Sequence, residues 1–216
     1  MRRFAIQVIL VATAIAVAGN RLAAQEVVDR IVARVENDVI LLSDILTLSR
    51  YQQFLDGKSE TDAQILDRLI DQWIVRTEAE VSRSPRASEE DIERSFSRLK
   101  NSFTSEQEYE ARKKQAGLSD QDIRAMTATQ LYLSYYLESR FRPSVQIDPK
   151  AIEDFYQNTV LPRAKARGQD PPTLEAARDS IQEALVQNGI NEQAERWLKE
   201  SRLRLHIEKL LEEGAK

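Results

Sequence analysis

His206 is the only histidine in the chain and there is no cysteine, so thiolate chemistry, disulfides and metal clusters rich in His or Cys are out of reach. The alternation of Leu203, Arg204, Leu205, His206 and Ile207 predicts a short strand, with His206, Arg204 and Glu208 opposite its apolar side. No neighbour there could activate a nucleophile with it, so the imidazole reads as structural or solvated. Glu78 with Glu80, and the run Glu89, Glu90, Asp91, are carboxylate pairs of the kind glycoside hydrolysis uses. At this density on amphipathic helices, acids serve as solvated faces or as partners of the helix dipole. No glycine-rich phosphate loop and no nucleophile elbow occurs, and no cofactor or metal site is expected. What remains is chemistry of contact. Met126, Leu131, Tyr132, Tyr135, Tyr136 and Phe141 exceed what one helical stripe can bury. Tyrosine offers a broad surface with a wettable end and methionine is deformable, which suits weak binding of varied partners. The same residues also fit an ordinary core with tyrosines at its rim.

The elements that would position these residues are mostly helical. Ile31, Ala33 and Val35 alternate with Val32, Arg34 and Glu36 within a strand Val27 to Glu36, a turn is expected at Asn37-Asp38, and Val39 to Leu42 returns. Ser43 then caps a helix that Gly57 ends. Thr61 opens the next, in which Ile65, Leu66, Leu69, Ile70, Trp73 and Ile74 recur at helical spacing. Three pairs, Ser88 with Asp91, Ser105 with Glu108 and Ser119 with Asp122, repeat the capping-box spacing and predict three helices, the last over Asp120 to Phe141. Asp148-Pro149 opens another. Residues 160 to 172, VLPRAKARGQDPP, read as an exposed connector. From Leu174 helical spacing resumes, with Gly189 its weak point. A lone terminal strand needs a partner, so the two ends of the chain are expected to meet in one small antiparallel sheet.

The first residues bear on compartment. A basic start, Met1-Arg2-Arg3, precedes the apolar run Phe4 to Gly19 and the small residues Ala23-Ala24. This is the pattern of a secretory signal peptide over residues 1–24, cleaved after Ala24; an uncleaved anchor is the alternative, although about 16 residues fall short of the usual span of about 20. Removal of residues 1–24 takes out Arg2, Arg3 and Arg21 and no acid, so the formal charge of −4 becomes −7. That excess argues against nucleic acid as a partner. The expected product is not membrane-integral and lies in the periplasm.

The start VVDRIVARVENDVILLSDI, with Asn37, Ile40, Ser43, Asp44 and Ile45 in step, resembles the opening hairpin of the SurA and PrsA group of extracytoplasmic folding factors. The helices behind it are similar in length and order to the SurA N-terminal domain, and Ala194, Trp197, Leu198 and LRLHI are similar to its closing helix and strand. The resemblance covers most of residues 27 to 210. It implies a mainly α fold: an N-terminal chaperone domain over 25–158, a connector over 159–172, and a C-terminal helix and strand over 173–216 that complete the domain. Isomerase-active members carry parvulin domains, of at least about 50 residues, where this chain has only Thr159 to Pro172. The resemblance therefore implies an ATP-independent chaperone body without isomerase activity. Its partners would be unfolded or partly folded exported polypeptides, outer-membrane protein precursors among them. Met126, Leu131, Tyr132, Tyr135, Tyr136 and Phe141 would form the client surface. An adaptor that keeps the fold but serves one envelope assembly is the alternative.

Overall fold

The computed structural model describes residues 29–211; the expected signal peptide and the start of the first strand at Val27 and Val28 lie outside them. The chain is mainly helical with a small three-stranded antiparallel sheet in the order β2-β1-β3. Strands β1 (Ile31–Val35) and β2 (Asp38–Leu41) form the hairpin. Val35 pairs with Asp38, so the turn residues are Glu36 and Asn37 and the turn falls one position earlier than the sequence suggests. Glu36 adopts the left-handed conformation with φ 53°, which costs a residue with a Cβ. The terminal segment holds it there: its amide donates to the His206 carbonyl at 2.9 Å and its Oε1 accepts the His206 amide at 2.7 Å. Between the pairs Ile31 with Leu41 and Ala33 with Ile40, Val32 is an extra residue in β1. This bulge breaks the expected alternation, and Val32, Ala33 and Val35 are all fully buried.

Helix α1 (Leu42–Asp56) begins at Leu41 rather than behind a Ser43 cap. The Asp44 carboxylate accepts the Leu41 amide at 2.8 Å, while the Ser43 amide is taken by Asp29 at 3.2 Å. Gly57, at φ 72°, ends the helix where only a residue without Cβ is comfortable. Thr61 caps α2 (Asp62–Val81) in a reciprocal box with Gln64. Helices α3 (Glu89–Asn101), α4 (Glu106–Ala116) and α5 (Asp120–Phe141) start behind Ser88, Ser105 and Ser119. Each serine hydroxyl accepts an amide three residues on, at 3.1 Å. Asp148 caps α6 (Pro149–Phe155).

The segment beyond departs from the expected connector. A π-helical turn, Tyr156–Val160, leads into α7 (Leu161–Ala166), so the first half of that stretch is helical and irregular chain follows only around Gly168. Pro162 lies where the π-turn passes into α7, so its missing amide falls where the regular helical hydrogen-bond ladder is already interrupted. Helix α8 (Leu174–Arg204) then runs 31 residues without interruption at Gly189. Its last turn takes in Leu203 and Arg204, so β3 is Ile207–Lys209 rather than a strand from Leu203. The helix persists because Arg202 is anchored on α2, and because Arg202 and Arg204 suit the negative end of the helix dipole. Leu203 consequently points to solvent. As expected, β3 pairs with β1, Val35 opposite Ile207 and Ala33 opposite Lys209.

The sheet packs its apolar residues on α1 and α2 through Ile45, Leu48, Leu66, Ile70 and Ile74, and Trp197, Leu198 and Leu205 close this core from the C-terminal side. A second cluster gathers Tyr51, Phe54, Phe96 and Tyr109 between α1, α3 and α4. Ile152, Ala177 and Ile181 form a satellite core where α6 meets the start of α8. Among the described residues no helix is long and apolar enough to cross a membrane.

Candidate functional site

Helix α5 occupies the middle of the molecule, against α2, α3 and α8. That placement explains its surplus of apolar residues: it buries more than one face. Tyr132 and Tyr136 pack with Val75, Ala79 and Leu133 against Trp197, and Phe141 packs on Ile190 and Ala194. Tyr132 is 6% exposed, Tyr136 3% and Phe141 9%, so these three belong to the core and not to a client surface. The Tyr136 hydroxyl accepts from Arg140 Nη1 at 2.9 Å, and the Arg86 guanidinium lies 5.0 Å from the centre of the Tyr132 ring. Leu131 and Tyr135 are half-buried. Of the six residues singled out from the sequence, Met126 borders an open concavity.

That concavity is a groove of about 580 Å³ between β2, α1, α2 and α5. Its floor is apolar: Leu48 from α1, Leu69 and Trp73 from α2, Met126 and Leu133 from α5. Leu69 and Trp73 lie four residues apart on the flank of the α2 stripe, which leaves them half-buried while Ile70 and Ile74 are covered. The rim is polar, and its charged residues are mainly acidic, with Asp38, Asp44 and Glu80 set against Arg76. Trp73 Nε1 donates to Asp38 Oδ2 at 2.8 Å, which ties the floor to the start of β2 and fixes the indole in place. Val39, 47% exposed, stands on the same margin. Sequence periodicity assigned Leu69 and Trp73 to the core and gave no reason to single out Val39, because their exposure depends on where the hairpin and α5 stop.

A neighbouring hollow of about 440 Å³ between α1 and the start of α2 is of different character. Arg68 and Gln52 both donate to Glu60, at 2.5 Å and 3.1 Å at closest, and hold its carboxyl down at about 2. The ion pair already engages the Glu60 carboxylate and the Arg68 guanidinium.

The catalytic candidates do not converge. His206 is exposed on the link between α8 and β3, with its backbone committed to Glu36. Glu78 and Glu80 are exposed on α2, and Asp91 is engaged by the Ser88 hydroxyl and by Arg94. Among the described residues no three His, Asp or Glu side chains come together as a metal site. The groove offers apolar contact and charge. Neither a protein-family model nor a curated protein matches this sequence.

Proposed function

We propose that the protein is an ATP-independent chaperone of the periplasm that holds unfolded exported polypeptides, outer-membrane protein precursors among them, in its groove. The observation that carries this reading is the groove itself: an open apolar floor of Leu69, Trp73 and Met126 with an acidic rim, on a body whose two chain ends close one sheet. An apolar floor captures chain segments without demanding one sequence, and a net negative body keeps the complexes apart. The resemblance of the hairpin and the closing helix to the SurA and PrsA group supports the same reading. Between α6 and α8 lie a π-helical turn and the short helix α7, at the position where isomerase-active members of that group carry a parvulin domain; on this reading acceleration of Xaa-Pro isomerisation is not expected.

The test is promiscuity. The purified protein should suppress aggregation of several unrelated denatured clients at substoichiometric to equimolar ratios, without nucleotide. Protection of a single client alone would support the adaptor function instead, and protection of none would refute both chaperone action and the role of the groove.

A further inference from the structure

Three consecutive residues, Asp38, Val39 and Ile40, line the groove. Successive side chains of a strand point to opposite faces, so all three can border one concavity only if it is the edge of β2 that faces it. β2 is indeed one of the two outer strands of the sheet. The hydrogen-bonding phase is fixed by β1. The Glu36 amide donates to His206 and the Val32 carbonyl accepts from Leu210, both at 2.9 Å, so the even-numbered residues of β1 turn their backbone groups toward β3. Ala33 and Val35 therefore turn theirs toward β2, where they meet Ile40 and Asp38. Val39 lies opposite Arg34, between those pairs. Its N–H and C=O consequently point away from β1 and out of the sheet. The next amide along that edge, Leu41, is already bonded to Asp44.

We infer that an unfolded polypeptide is held here as an added strand on β2, pairing its backbone with Val39 while alternate apolar side chains settle on Leu69, Trp73 and Met126. The acidic excess of the rim, Asp38, Asp44 and Glu80 against Arg76, favours segments flanked by basic residues. With one residue of β2 open to pairing, the hold is short and weak, and a main-chain contact of this kind accepts any sequence able to extend. This deepens the chaperone function proposed above and rests on it.

The probe is a fluorescent nine-residue peptide of alternating leucine and threonine between terminal lysines, with two N-methylated versions, one methylated on the leucines and one on the threonines. Strand addition turns alternate amides toward β2, so one methylated version should bind about fivefold more weakly and the other as well as the parent. Equal binding of all three would overturn strand addition. In parallel, Val39→Pro removes the outward amide at a position where an edge strand tolerates proline; it should weaken the parent peptide to a similar extent with an unchanged melting temperature, while Val39→Thr should bind like the wild type. If Val39→Pro does not fold, the methylated pair still decides. A wild type that protects clients but ignores the methylation pattern overturns strand addition alone, whereas a wild type that protects no client overturns the functional proposal as well.

Discussion

Gly189 shows how a single position resists prediction from local sequence. A glycine in mid-helix lowers helix stability by about 1 kcal/mol relative to alanine, and on that ground alone α8 would be expected to weaken there. A Cβ built at Gly189, however, would lie 2.7 Å and 3.2 Å from the two methyl groups of Val145, so the residue is glycine because the chain leaving α5 passes directly over it. Gly189→Ala should therefore destabilise the protein by on the order of 1 kcal/mol in chemical denaturation, the overpacking cost outweighing the gain in propensity. Combined with Val145→Ala it should recover most of that loss. The tyrosines of α5 carry the same lesson. Their number was legible, but which of them are covered depends on the helices that flank α5. Tyr136→Ala should accordingly cost about 3–5 kcal/mol, as truncation of a buried aromatic does, and a smaller loss would return Tyr136 to the surface.

At the level of elements, capping chemistry was the most legible signal. Ser88, Ser105, Ser119, Thr61 and Asp148 each stand at the helix start that their spacing announced. Such signals are local, a hydroxyl or carboxylate meeting an amide two or three residues away, and need no tertiary context. The end of α8 was misjudged because it is set by a tertiary contact. Arg202 donates to Asp67 and Asp71 at 2.8 Å and 2.7 Å, and Lys209 joins Asp67 at 2.7 Å. Burial works to raise the Asp67 pKa, but the hydrogen bonds from Arg202 and Lys209 outweigh it and hold the carboxyl below its ordinary 3.8. A carboxylate depressed in the folded state lends its stability fully above its unfolded value and loses it as pH falls below that. Asp67→Asn should thus lower the melting temperature at pH 7, and the gap to the wild type should begin to close at about pH 4 and vanish as the pH falls through the lower folded-state value. Because Asp67 is 44% exposed, solvent screening limits the effect to on the order of 1 kcal/mol.

For the whole molecule, the meeting of the two chain ends was the deepest feature open to sequence reading, since a strand at one terminus has to find a partner. The groove was not readable in the same way. It is assembled from four elements that are distant in sequence, and none of its walls has a composition that marks it. The dependence of one end on the other is testable. A chain truncated after Arg178 lacks β3, Arg202 and Trp197, and should lose the cooperative thermal transition of residues 29–158. Retention of the full-length transition by the truncated protein would show that the ends do not form a unit.

The bonds between Glu36 and His206 also bear on timing. They join residues separated by 170 positions, and every pair between β1 and β3 is comparably distant in sequence. A chain emerges amino end first, so the hairpin can form early, yet until residues 206–210 have been made β1 keeps an open flank and Glu36 has nothing to hold it in its costly conformation. Throughout that interval β1, which the finished sheet encloses between β2 and β3, is itself an edge strand. Pairing with β3 then encloses β1, while the outer edge of β2, the proposed docking edge, stays open.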